Sequence, residues 1–110
     1  MPPTDLEILQ GTLDVLILKT LTWGPRHGYA VARWIRDTTK SALTIEDGAL
    51  YTALHRMEHR GLLSSEWGAN EDNRRVKLYA LTTSGRQDLR RQMDQWKRYT
   101  AAVALVLHAT

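Results

Sequence analysis

The feature that most constrains the fold is an apolar seam along the last quarter of the chain. After Thr82 or Thr83, either of which can cap a helix, apolar side chains recur at alternating intervals of four and three residues. The seam consists of Leu89, Met93, Trp96, Val103 and Leu107, with Thr100 in the one gap. This spacing predicts a helix of about 24 residues, about 36 Å long, with a heptad stripe on one side. The preceding residues are too few to cover such a helix, so we expect it to project and to form a homodimer through the seam.

The remainder of the chain is expected to form one small domain. The chain has 110 residues, a net charge of +3 and 43% hydrophobic residues, a composition typical of globular proteins. The absence of cysteine excludes disulfide scaffolds, cysteine nucleophiles and thiolate metal sites. The longest apolar run, Ala101 to Leu107, is shorter than the roughly 20 residues that span a bilayer, and the first residues lack the basic segment of a signal peptide. We therefore expect a cytoplasmic protein, and its small positive excess permits a polyanionic partner.

Two helices are predicted before the centre of the chain. Thr4 and Glu7 form a capping box, and apolar spacing predicts a helix from about Asp5 to Leu21. Pro25 prevents that helix from continuing, and a second helix is predicted from Gly28 to Thr38. Its inward residues are expected to be Tyr29, Ala32 and Ile35, which leaves basic side chains, Arg33, Arg36 and Lys40, for solvent or phosphate.

A third helix is predicted from Glu46 to Arg60, with Gly61 as the residue that ends it. One narrow face should enter the core: Leu50, Ala53, Leu54 and Met57. The opposite face is polar and aromatic: Gly48, Thr52, His55 and His59, flanked by Tyr51 and Arg56. Such a face is suited to a partner other than bulk water.

The segments Leu62 to Trp67 and Val76 to Leu81 are predicted to be strands of a hairpin, whose second arm carries Arg74, Arg75 and Lys77. The fold class is therefore mainly α with a small β-hairpin. Three helices, a hairpin and a long helix are the order of a winged helix-turn-helix with a C-terminal dimerisation helix. We expect residues 1–82 to form the DNA-binding domain and residues 83–110 the dimerisation helix of one continuous unit.

Six short motifs in this order resemble the PadR family of bacterial transcription regulators, in its short branch with a single C-terminal helix. The motifs are Gln10-Gly11-Thr12-Leu13-Asp14, His27-Gly28-Tyr29, Gly48-Ala49-Leu50-Tyr51, Leu54-His55-Arg56-Met57-Glu58, Arg60-Gly61-Leu62 and Tyr79-Ala80-Leu81-Thr82. The resemblance implies a homodimeric repressor that binds double-stranded DNA at an inverted repeat. The DNA-binding residues by position are Gly48, Tyr51, Thr52, His55, Arg56, Arg74, Arg75 and Lys77. The wing departs from the family pattern, because Asn73 stands where a glycine often precedes the basic run, and Glu71 and Asp72 place negative charge at the tip.

The resemblance also raises the question of an effector. Multidrug-sensing members of the family have a tryptophan at the position of Trp96 and hold flat aromatic compounds between the two copies. A planar aromatic ligand would then lie against Asp14, Val15, Leu18, Met93, Trp96 and Thr100. The alternative is that Trp96 only packs in the dimer seam and that the regulator responds to no ligand.

Other features of the sequence bear on two other function classes, enzymes and protein-binding modules. His55, Glu58 and His59 match the H-x-x-E-H pattern of inverted-motif zinc proteases, but the motif is short and Glu58 is expected to form a structural ion pair. No serine has a recognisable base beside it, so we expect no enzyme, no cofactor and no metal. A winged-helix module that binds only protein is the remaining alternative, and it would leave the basic wing unused.

Overall fold

The computed structural model describes residues 11–110, and the predicted capping box of Thr4 and Glu7 lies outside this range. Four helices and three strands follow one another in the described part of the chain, with a 3₁₀ turn over Leu21–Trp23 after the first of these helices. They are α1 (Leu13–Thr20), β1 (Arg26–His27), α2 (Gly28–Thr38), α3 (Asp47–His59), β2 (Leu63–Ala69), β3 (Arg75–Leu81) and α4 (Thr83–Leu107). The fold is therefore mostly helical with a small antiparallel sheet, as the sequence predicts. No helix within residues 11–110 is long and apolar enough to cross a membrane.

Helix α1 packs against α2, α3 and α4, and the side chains of the three-helix core meet between them. The predicted core face of α3 is confirmed, since all four of its members are buried: Leu50, Ala53, Leu54 and Met57. Gly61, with φ of 79°, ends α3 in the left-handed conformation that glycine tolerates best.

The bounds of α2 agree with prediction, and of its predicted inward residues Ile35 is buried and Ala32 packs against the core, whereas Tyr29 does not. Tyr29 is 58% exposed, whereas Val31 and Ile35 are buried. At about 100° per residue, positions 29 and 35 lie about 120° apart around a helix, whereas positions 31 and 35 lie only about 40° apart. The prediction for Tyr29 was therefore wrong, and its ring lies on the outer surface of the helix.

Strand β1 was not predicted, because two residues are too few to show a periodicity. It adds to the edge of the hairpin and gives the sheet order β1-β3-β2, with Arg26 opposite Tyr79. The hairpin itself runs in register from Leu63 opposite Leu81 to Ala69 opposite Arg75, and this β2–β3 hairpin is the wing.

Helix α4 begins where predicted, because the Thr82 hydroxyl accepts a hydrogen bond from the Gly85 amide at 3.0 Å. Of the predicted seam, Leu89 is buried in the core of the chain. Val103 is half-buried, and the other seam residues are exposed: Met93, Trp96 and Leu107. The first turns of α4 therefore pack against the core, while Met93, Trp96 and Leu107 are left uncovered.

Candidate nucleic-acid interface

The outer face of α3 is held toward solvent by its buried inner face. The residues predicted there are all exposed: Gly48, Tyr51, Thr52, His55, Arg56 and His59. The rings of Tyr51 and His55, one turn apart, lie 6.5 Å apart between centroids. A rigid helix thus presents one aromatic, one imidazole and one hydroxyl side chain side by side, and these groups can reach the edges of bases in a major groove.

Gly28 lies directly against the Tyr51 ring. A Cβ atom at Gly28 would be only 2.8 Å from the Tyr51 hydroxyl oxygen and 2.9 Å from the ring carbons. The glycine therefore lets the first turn of α2 approach the tyrosine directly. The His27-Gly28-Tyr29 and Gly48-Ala49-Leu50-Tyr51 motifs, far apart in sequence, meet at this contact.

The wing directs a second set of side chains to the same side. Because side chains alternate along a strand and directly paired residues share a face, Trp67 on β2 and Lys77 and Arg75 on β3 point to the face that also carries the buried Tyr79. The Arg75 guanidinium lies over the Trp67 ring, 4.3 Å from its centroid. Trp67 is 60% exposed, so it supports a cation on the surface and does not fill the core. The spacing of residues in the sequence gives no sign of this contact, which depends on the register of the two strands.

The wing tip is shaped by two asparagines. The Asn70 side-chain oxygen accepts hydrogen bonds from the amides of Asp72 at 3.0 Å and Arg74 at 2.9 Å. Asn73 adopts φ of 58°, a left-handed conformation that asparagine tolerates better than most residues. Asn73 therefore fills the conformational role of the glycine common in family wings, and this departure from the pattern leaves the turn intact.

A groove of about 600 Å³ lies between α3, the start of α2 and the wing. Four of the predicted DNA-binding residues line it: Tyr51, His55, Arg74 and Lys77. Arg75 is fixed beside it by Trp67, which also lines the groove. The structure thus brings the aromatic, imidazole and cationic groups of two separate elements to one surface.

Two of the predicted cations are already paired. Arg56 forms a bidentate ion pair with Asp14 of α1, with both N–O distances 2.7 Å, and this hydrogen bond raises the pKa of Arg56. The Lys77 ammonium lies 4.0 Å from Glu58, which also accepts a hydrogen bond from Ser65, so the expected structural ion pair of Glu58 is present. Arg56 therefore joins α1 to α3, and Arg74 and Arg75 remain the cations of the wing best placed for phosphate.

Two polar side chains lie behind the exposed surface, the phenol of Tyr79 and the carboxylate of Glu58. Burial raises the pKa of Tyr79, and the nearby Glu58 and Tyr51 raise it further, so the phenol stays protonated at neutral pH. No three His, Asp or Glu side chains within residues 11–110 are grouped so that they could hold a metal ion. Glu58 of the H-x-x-E-H pattern is occupied by Ser65 and Lys77.

The residues predicted to contact an effector are placed on α1 and α4. Met93, Trp96 and Thr100 lie exposed along α4, and the Trp96 and Tyr99 rings are 6.1 Å apart. Asp14 is engaged by Arg56, and Val15 is half-buried against the core. Leu18 is completely buried within the protomer, so its side chain presents no surface to a ligand here.

Comparison with known proteins agrees with this geometry. The model of the transcriptional regulator PadR-like family matches residues 17–91. The solved structure of a PadR family transcriptional regulator from Eggerthella lenta is 33% identical with a TM-score of 0.78, covering 92% of this chain and 86% of that one. A PadR family regulator from Clostridium difficile is 28% identical with a TM-score of 0.74, covering 90% of this chain and all of that one (100%).

A curated relative, an uncharacterised protein from Lysinibacillus sphaericus, is 25% identical over 101 residues, which is 92% of this chain and 93% of that protein. Proteins of the matched family are transcription regulators and not enzymes. The family match extends from α1 across the α3 surface and the wing into the first turns of α4. The chain therefore belongs to the PadR-like family of transcriptional regulators.

Proposed function

We propose that this protein is a sequence-specific DNA-binding repressor that acts as a cytoplasmic homodimer on an inverted-repeat operator. The observation that carries the proposal is the division of α3 into a buried apolar face and an exposed face beside a cationic wing. The exposed face of α3 and the wing cations Arg74 and Arg75 lie outside the buried core. Both are what a winged-helix protein requires at a major groove and its flanking backbone.

In the proposed complex, α3 enters the major groove and Thr52, His55 and Tyr51 contact base edges. Arg74 and Arg75 contact phosphates, and the indole of Trp67 restricts Arg75 to the orientation in which it does so. Lys77 adds charge close to the helix. Arg56 supports α3 through Asp14, and its role at the DNA is secondary.

The proposed dimer uses residues 83–110, and its contacts are Met93, Trp96, Val103 and Leu107, with Leu89 supporting them from the protomer core. The open apolar side chains along α4 support this assignment, since a row of exposed apolar residues at heptad spacing is typical of a helix that pairs. A two-fold dimer repeats the α3 contacts on a second half-site about 34 Å away.

The same seam suggests a ligand. Trp96 and Met93 are exposed on α4 and would face their copies across the dimer axis. We propose that a planar aromatic compound binds between the two indoles and releases the DNA by changing the separation of the α3 helices. Titrating planar dyes should quench tryptophan fluorescence in the wild type and not in a Trp96→Phe variant, whereas equal quenching in both would remove the ligand from the proposal.

Fluorescence anisotropy on fragments of the chain's own upstream region, at two salt concentrations, tests DNA binding. A regulator should lose affinity steeply as salt rises, because phosphate contacts release counterions. Arg75→Ala should weaken binding to all sequences and reduce the salt slope by about one, whereas His55→Ala should relax preference at one base position.

Arg90→Ala, which removes an equal charge on the exposed side of α4, is the matched control and should change neither quantity. A chain that retains no DNA at low salt would be a protein-binding module instead. A uniform loss for His55→Ala together with a base-specific loss for Arg75→Ala would show that the two roles are reversed.

A further inference from the structure

The tip of the wing touches the start of α2 through one carboxylate. Resting on the proposed function, we propose that His27 and Arg33 form a binding site for a DNA backbone phosphate, and that Glu71 occupies this site while DNA is absent. The Glu71 oxygens lie 3.9 Å from His27 Nε2 and 3.9 Å from an Arg33 guanidinium nitrogen. Glu71 is thus an internal substitute for the phosphate, and it lowers affinity by competing with it.

His27 supplies a buried donor that lacks an acceptor. Its Nδ1 accepts a hydrogen bond from the Ala30 amide at 3.2 Å, so in the neutral ring the proton is on Nε2. His27 is only 9% exposed, and Nε2 has no hydrogen-bond partner among the described residues. The 3.9 Å to Glu71 exceeds the usual length of an N–H···O bond. A buried N–H with an anionic oxygen just beyond hydrogen-bond distance marks a position which a better-placed oxygen would fill.

Arg33 supplies the charge, and Tyr29 orients both groups. The Tyr29 ring lies parallel to the imidazole of His27, at 9° and 6.4 Å, and the Arg33 guanidinium lies 5.6 Å from its centroid. The three side chains form a shelf on the first turns of α2, where aligned amide groups also favour an anion. Tyr29, which was predicted to face the core, therefore lies on an outer surface of α2.

Glu71 is suited to leave this site. Its side chain is 70% exposed, and both of its ion pairs are long, so separating them costs little in water. A phosphate carries several acceptor oxygens and can approach His27 and Arg33 more closely than a carboxylate tethered to the wing. The groove between wing and α3 and a second groove beside β1 both border Glu71, so the phosphate site continues the surface of α3.

The test compares Glu71→Gln with Asp72→Asn in the full-length protein by anisotropy on the same DNA fragments. Both variants remove one negative charge from the wing tip, but only Glu71 lies beside Arg33. Glu71→Gln should tighten binding about two- to fivefold more than Asp72→Asn. In an Arg33→Gln background, this excess should disappear. Arg33→Gln alone should weaken binding and reduce the salt slope by about 0.9, as the loss of one phosphate contact requires.

Arg36→Gln is the control for Arg33, because Arg36 is paired with Asp37 and not with the wing. The proposal is overturned if Glu71→Gln and Asp72→Asn have equal effects, if Glu71→Gln weakens binding, or if its gain survives Arg33→Gln. These outcomes would leave DNA binding by the wild type intact. A wild-type chain that binds no DNA would instead overturn the proposed function, and the phosphate site with it.

Discussion

Helices α3 and α4 both carry a narrow apolar stripe, yet the two stripes differ in how far the chain buries them. Every apolar residue on the inner face of α3 is buried against α1, α2 and the sheet. On the stripe of α4 Leu89 is buried and Val103 is half-buried, whereas Met93, Trp96 and Leu107 are exposed. An amphipathic stripe therefore indicates an apolar helix surface that is stabilised by burial. The position of the helix in the fold decides whether the same chain or another copy can bury that surface.

The comparison predicts that equal truncations in the two helices differ most in stability. Leu54→Ala in α3 should lower the free energy of unfolding by about 2–5 kcal/mol, because it leaves a cavity in a fully buried site. Leu105→Ala in α4 should change it by less than about 0.5 kcal/mol, since Leu105 is 77% exposed. Urea unfolding at one fixed protein concentration measures both, and similar losses would show that the end of α4 is covered.

The next largest effect concerns assembly. Trp96→Ala should weaken the proposed dimer by at least about 25-fold, since a central tryptophan is a typical interface hot spot. Leu105 lies about 180° around α4 from Trp96, so Leu105→Ala is the matched control and should leave the dimer unchanged. Sedimentation equilibrium gives the dissociation constants. A wild type that stays monomeric at every concentration would contradict the assignment of the seam.

A smaller effect separates the ion pairs of the two helices. Arg56→Lys should cost about 1 kcal/mol of stability, because lysine keeps the charge but cannot reproduce the bidentate contact to Asp14. Arg98→Lys should cost almost nothing, since the Arg98–Asp94 pair on α4 is largely exposed. Thermal unfolding of the two variants in the same buffer measures both losses of stability. An equal or larger loss for Arg98→Lys would contradict the stronger role assigned to the Arg56–Asp14 pair.

The smallest effect depends on pH and concerns Asp88, on the buried side of α4. Burial raises the pKa of Asp88, but hydrogen bonds from Arg91 and Gln92 outweigh it and hold the pKa below its ordinary value of 3.8. A carboxyl group whose pKa is lowered by folding stabilises the folded state at pH values above its pKa in the unfolded chain. This contribution to the free energy of unfolding is lost as the pH falls through the pKa of the folded state.

Asp88→Asn should therefore reduce stability at pH 7 by less than about 1 kcal/mol, and the difference from wild type should shrink as the pH falls from about 4 toward 2. Asp94→Asn, at an exposed position, is the control and should show no such change. Unfolding followed by circular dichroism across this range measures both. A difference for Asp88→Asn that stays constant with pH would contradict the role assigned to its ionised carboxyl.

Most of the fold was predictable because its signals are local. The core face of α3 is read from the spacing of Leu50, Ala53, Leu54 and Met57, and the cap of α4 from Thr82. The failure at Tyr29 shows the limit of this reasoning, since a short helix with few apolar residues permits more than one stripe. The two-residue strand β1 offered no periodicity at all.

The candidate site was predictable only in its parts. Polar residues on one face of α3 and basic residues in the hairpin could be found from spacing alone. Their pairing could not, because Arg56 meets Asp14 and Arg75 meets Trp67 only after distant segments pack. From the sequence alone, Glu71 is only a negative charge at the wing tip, where it would repel phosphates. Its position beside His27 and Arg33 depends on the conformation of the turn.

The sequence by itself determined the order of the elements, the inner and outer faces of α3 and the existence of an unsatisfied seam on α4. Helical and strand periodicities are properties of neighbouring residues, so a linear pattern contains them. The tertiary structure alone decided which cations are paired and which are left to bind a phosphate. An ion pair depends on the distance between side chains that can be dozens of residues apart in the sequence. It also placed the Glu71 carboxylate of the wing beside His27 and Arg33, at the position where a phosphate could compete with it.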